Sequence, residues 1–167
     1  MNLKLIGGKN QKLKTKCKFT EYKRALRIGR RMVLFMKRHN CWAVAANQFG
    51  IMERVAAVKI DGKIMHIIDP KITMREGKQR SAERSLSWPT VIGNVNRPHK
   101  LTFEHLVDDG DGGQYGVQST VEGFNATIIE HVVDQLDGIR VIDKMDKKMP
   151  INSENNAKIG KPEKVTP

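Results

Sequence analysis

Only two cysteines, Cys17 and Cys41, occur in the 167 residues. Two thiols cannot build a disulfide framework or a four-cysteine metal site. No run approaches the about 18 consecutive apolar residues that a transmembrane helix needs. An apolar signal-peptide core is also missing, because lysines stand where it would lie, and the first 20 residues contain neither Arg nor Ser, against a mitochondrial transit segment. Acids are scarce at one end, where Glu21 is the only one in the first 40 residues. These absences favour a reducing, cytoplasmic setting, with an organelle matrix left open.

Hydrophobic residues make up 39% of the chain, enough for a core and against wholesale disorder. The length suits one ordinary domain. The formal charge of +12 is unevenly placed: residues 1–40 hold 13 of the 30 Lys and Arg, and the other 127 residues balance 17 bases against 17 acids. A basic block of this kind meets phosphate or serves as a solvated tail. Lys9, Lys12, Lys14, Lys16, Lys18, Arg24, Arg27 and Arg31 are the candidate polyanion contacts. Aromatic residues are absent before Phe19, which favours phosphate contact over base stacking.

The pattern divides the chain into a basic arm (1–19), a folded domain (20–149) and a mobile polar tail (150–167). The arm has too few apolar residues for a core element and reads as weakly ordered. A helix is predicted over Thr20–His39, with Thr20 as N-cap and Tyr22, Ala25, Leu26, Gly29, Met32, Val33 and Met36 on one face. Strands are predicted over Val55–Ile60, Ile64–Ile68 and Lys100–Val107, with Asp61-Gly62 as a tight hairpin turn. Residues 108–113 read as a loop whose acids resemble a calcium loop only superficially, because the twelfth-position Glu is missing. Helical spacing returns over 121–135.

Three segments carry the chemical signal. They are Cys41-Trp42-Ala43-Val44-Ala45-Ala46-Asn47-Gln48-Phe49-Gly50, Glu83-Arg84-Ser85-Leu86-Ser87-Trp88-Pro89, and Glu130-His131-Val132-Val133-Asp134-Gln135-Leu136-Asp137-Gly138. In order and separation they resemble the motifs GxGxAAxQxG, EGCLSxP and QHExDHLDG of the peptide deformylase family, over roughly residues 20–145. Asp69-Pro70 and Arg97-Pro98 also stand where that family has an NP pair and a basic residue. The resemblance implies an α+β fold: a central helix carrying Glu130–Gln135 packed by mostly antiparallel strands, with the 20–39 helix alongside. It implies hydrolysis of the N-formyl group on Met-initiated chains, by a divalent iron or zinc ion held by one Cys and two His. The Glu after the first His moves the proton, and the motif-one Gln and the Leu amide receive the oxyanion.

Carried over by position, Gln48, Leu86, Ser87, Glu83, His131, Asp134, Leu136, Asp137 and Gly138 match the family. The ligand positions read Ser85, His131 and Gln135, and the general-base position reads Val132. A serine hydroxyl does not ionise near neutral pH, a Gln amide is a poor exchange for imidazole, and valine cannot carry a proton. The resulting expectation is a catalytically inactive deformylase-like protein, retained to bind a polyanion such as ribosomal RNA or a ribonucleoprotein through residues 1–40. No cofactor is expected; if there is one, it is a divalent transition metal at His131. The alternatives are an active divergent deformylase and a structural subunit of a larger assembly. A Ser85–His131 dyad could restore chemistry, but the sequence shows no acid to orient the histidine. Cys41, helped by His39, is a second route, set against its usual role as a small buried apolar residue. Trp42 and Ala43, where the family has an aliphatic residue and a glycine, either crowd the substrate groove or fill core volume.

Overall fold

The computed structural model describes residues 3–109, 111 and 113–150. Apart from Pro150, the tail expected over 150–167 lies outside them. In chain order the elements are α1 (Tyr22–His39), β1 (Ala43–Ala45), β2 (Val55–Ile60), β3 (Lys63–Glu76), β4 (Gln79–Ser85), β5 (Trp88–Arg97), β6 (Lys100–Asp108), β7 (Gln114–Glu122), α2 (Gly123–Leu136), α3 (Val141–Lys144) and β8 (Lys148–Pro150). Short 3-10 turns cover Gln11–Lys14 and Ala46–Phe49. The strands form two antiparallel sheets, ordered β1-β2-β3-β6-β7 and β4-β5-β8.

The expected α+β architecture is found. Helix α2 is the element both sheets share. Its Ala126, Ile129, Val132, Val133 and Leu136 pack with Ala56, Val58, Ile67, Leu101 and Phe103 of the five-stranded sheet. The opposite face of that sheet is covered by α1, whose Tyr22, Ala25, Met32 and Met36 meet Val44, Val55, Ala57 and Ile68. Asp61 and Gly62 turn from β2 into β3 with φ of 48° and 79°, the left-handed pair a two-residue hairpin requires.

Three local expectations are corrected. Helix α1 starts at Tyr22, and Thr20 is not its cap: the Thr20 N–H and hydroxyl both donate to the buried Glu53 carboxylate, at 2.7 and 2.6 Å. The basic arm is not loose, because Leu13 and Cys17 are buried and the Cys17 N–H donates to the Leu136 carbonyl at 2.7 Å. Residues 114–122 form β7, and α2 begins only at Gly123. In the acidic loop, the Asp109 carboxylate accepts the N–H groups of Asp111 and Gly113, an ordinary local loop closure.

Candidate active site

Strand β4 has few apolar residues, yet its alternate positions Gln79, Ser81, Glu83 and Ser85 are buried. The period of two points them all to one face. Gln79 donates to the Gly123 carbonyl at the start of α2, and Glu83 meets His131 further along that helix. At the end of β4 the pairing with β5 shifts register between Arg84 and Ser85, and the Ser87 N–H donates to Ser85 Oγ at 3.2 Å. The serine oxygen is thus held at a turn.

Gln48 comes from the 3-10 turn after β1. Its Oε1 accepts the Ala45 N–H at 2.8 Å, which fixes the amide so that Nε2 faces Ser85 Oγ at 3.4 Å. Neighbouring Asn47 donates to the Gln135 carbonyl, tying this turn to α2.

His131 Nδ1 lies 2.7 Å from Glu83 Oε2. Burial alone would raise the Glu83 pKa. The hydrogen bonds and charge of Arg97, with those of His131, outweigh it and hold the carboxyl at about 2. Arg97 has no exposed side-chain surface and grips Glu83 through Nε and Nη2 at 2.6 and 2.7 Å, while its Nη1 reaches Asp134 on α2. A carboxylate gripped by Arg97 accepts, so the hydrogen of this contact sits on His131 Nδ1. The tautomer that the contact selects has its lone pair on Nε2.

Ser85, Gln48, Leu86 and His131 line one cleft of about 180 Å³, with Trp42, Phe124 and Ile128 as apolar wall. Trp42 is 47% exposed and meets Phe124 edge to face at 5.0 Å, so it fills the cleft's rim and not the core. Cys41 and His39 also line the cleft, but burial pushes the Cys41 thiol up and away from thiolate. Val132 and Gln135 are both buried and are not among the lining residues; Val132 belongs to the apolar cluster beneath α2.

The donor set can be judged on its chemistry. The cleft offers the imidazoles of His131 and His39, a Cys41 thiol that burial holds away from thiolate, a serine hydroxyl and a Gln48 amide that is already oriented. Among the described residues, no three His, Cys, Asp or Glu side chains gather where they could hold a metal ion. These donors do not fit a tightly held iron or zinc ion, which wants thiolate and imidazole together.

None of the Lys and Arg side chains of the first 40 residues lines this cleft. Lys12 donates to the Gly50 carbonyl, Lys16 pairs with Asp137, and Arg24 pairs with the buried Glu53. Those three are engaged within the fold; Lys9, Lys14, Lys18 and Arg27 are exposed, and Arg31 is partly buried. Among the described residues, no helix is long and apolar enough to cross a membrane.

A helix cradled by two antiparallel sheets, with His131, Glu83, Ser85 and Gln48 brought together beside it, defines the α+β architecture. The polypeptide deformylase family model matches residues 3–150, and the chain belongs to that family. It is 38% identical over 101 residues to peptide deformylase 2 of Clostridium acetobutylicum, and 35% identical over 101 residues to the peptide deformylase of Thermoanaerobacter pseudethanolicus. Each alignment covers 60% of this chain, and 65% and 61% of those proteins, so the chain spans less than two thirds of their length. The crystal structure of the Thermotoga maritima peptide deformylase superposes with a TM-score of 0.78 at 20% identity, covering 88% of this chain and 99% of that one.

These findings correct the expectation of an inactive polyanion-binding module. Relatives named peptide deformylase match at 31–38% identity, and they support the alternative of an active deformylase better. The expectation that no cofactor is needed gains nothing from them either, because the family is metal-dependent. The departure lies in this chain's own donors.

Proposed function

We propose that this chain is a deformylase-type hydrolase, removing the formyl group from the N-terminus of a peptide whose first side chain is apolar. The observation that carries the reading is the bond between His131 and Glu83 in a cleft shared with Gln48 and Ser85. Amide hydrolysis needs a group that moves a proton and a donor for the developing oxyanion. Val132 has no titratable atom, so proton transfer falls to His131 Nε2, held in the right tautomer by Glu83. Gln48 Nε2, fixed through Ala45, is the oxyanion donor. Trp42, Leu86, Phe124 and Ile128 offer an apolar wall for a methionine-like side chain. Identity to named deformylases, and a fold superposing on theirs, support the substrate class.

The test is release of free amine from a formyl-Met peptide by purified protein, with His131→Ala as control. Turnover by the wild type that falls by about 10²–10⁴-fold in the variant supports the reading. A wild type that leaves the formyl peptide intact overturns it.

A further inference from the structure

We propose that Ser85 is the nucleophile of this site, attacking the substrate carbonyl directly with His131 as its base and Glu83 as the residue that positions the base. The proposal rests on the hydrolase reading above and departs from metal-bound water as the attacking group, because the donors in the cleft suit a serine hydrolase and not a transition metal.

Four observations converge on it. The acid the sequence does not show for this dyad is present: Glu83, gripped by fully buried Arg97, stands 2.7 Å from His131 Nδ1. That contact leaves Nε2 as the basic atom, the arrangement an acid–histidine–serine relay requires. Ser85 and Glu83 project from the same face of β4 two residues apart, a repeat of roughly 6.6 Å. The histidine that touches Glu83 and the serine two residues further along the strand both line the same cleft. Finally, Ser85 Oγ accepts hydrogen bonds from the Ser87 N–H and Gln48 Nε2. Its own hydrogen is left for the histidine, and Gln48 Nε2 stands beside the attacking atom, where the oxyanion forms.

The steps balance without a further reagent. Ser85 Oγ bonds to the formyl carbon as His131 Nε2 takes the hydroxyl proton. The carbonyl oxygen becomes an oxyanion against Gln48 Nε2. The C–N bond then breaks, and the peptide amine leaves with the proton from His131. A formyl ester remains on Ser85. Water attacks that ester, giving a proton to Nε2; the C–Oγ bond breaks, Oγ recovers that proton, and formic acid departs, releasing its own proton to solvent as formate.

The experiment uses the full chain in two arms. In the first, protein is treated with a fluorophosphonate, and the modified residue is located by peptide mass mapping. The expected result is one adduct on Ser85, lost in His131→Ala. In the second, turnover of a formyl-Met peptide is acid-quenched and the protein is searched for a formyl ester, with Ser85→Ala assayed alongside after metal chelation of both proteins. The expected result is an ester on Ser85 and chelator-resistant turnover that falls by at least about 10³-fold in the variant. The wild-type adduct and ester need no variant to fold. Deformylation without adduct or ester, surviving in Ser85→Ala or abolished by chelation, overturns the proposal while leaving the deformylase reading intact. A His131-dependent adduct on Ser85 without deformylation supports the nucleophile and overturns only the formyl-peptide substrate.

Discussion

Arg97 and Glu83 form a two-pronged ion pair across β4 and β5, at 2.6 and 2.7 Å, with the arginine side chain wholly buried. Its third nitrogen reaches Asp134, so one guanidinium joins the small sheet to α2. Removing it leaves two buried carboxylates under-compensated, Glu83 with only His131 and Asp134 with only Lys144 beside it. Arg97→Met is expected to cost about 3–5 kcal/mol of stability. Arg97→Lys recovers only part, because an ammonium cannot grip a carboxylate with two parallel bonds. Urea unfolding of the three proteins measures both; equal midpoints for wild type and Arg97→Met would count against this role.

The same pair gives the fold an acid limit. The Glu83 pKa falls from an ordinary 4.5 to about 2 on folding. Between those values the unfolded chain binds a proton there that the folded chain does not, so stability falls as pH falls. The contribution is complete above about pH 4.5 and is lost progressively on acidification toward pH 2; it is on the order of 3 kcal/mol. Unfolding free energy measured from pH 6 to pH 2 should decline, and the decline should be shallower in Glu83→Gln.

This network also marks where the sequence stopped being readable. Strand β2 and its hairpin into β3 were legible because Val55-Ala56-Ala57-Val58 is apolar and Asp61-Gly62 has turn chemistry. The three motifs carried the architecture. Strand β4 was not legible, since the inward positions of Gln79-Arg80-Ser81-Ala82-Glu83-Arg84 are all polar and its one apolar residue, Ala82, is on the other face. Its inward face is satisfied by hydrogen bonds and ion pairs, which hydropathy does not register. For the same reason the acid that orients His131 was missed. Its signal was present, in Glu83 standing two residues before Ser85 on what had to be one strand face. The arm misled because Leu13 and Cys17 are isolated among lysines, and their burial depends on α2, far along the chain.

Gly138 holds that arm in place. It follows the last turn of α2 with φ of 78°, the Gly138 and Ile139 N–H groups donating back to the Gln135 and Asp134 carbonyls. That is a Schellman ending, which suits glycine. The Lys14 carbonyl would lie 2.7 Å from a Cβ placed there. Gly138→Ala therefore meets both backbone strain and a backbone clash, and should cost about 1–3 kcal/mol. Trypsin should cut the arm lysines faster in the variant than in the wild type. Unchanged cleavage would mean that the arm is held by other contacts.

Glu83 separates positioning from binding. Glu83→Gln keeps the size of the side chain, but its amide can donate as well as accept, so His131 is no longer confined to the tautomer with hydrogen on Nδ1. In the proposed site the substrate side chain packs on Trp42, Leu86, Phe124 and Ile128, a wall to which Glu83 does not belong. The expected signature is a kcat lower by about 10²–10⁴-fold with KM nearly unchanged, the size of effect seen when a histidine base loses its orienting acid. The stability lost with the Arg97 pair has to be separated from this, so kcat is measured well below the variant's own melting temperature. A drop in kcat that persists there, without loss of folded protein, places Glu83 behind the histidine. A variant that keeps wild-type kcat would show that His131 works without it, and would remove the acid from the relay.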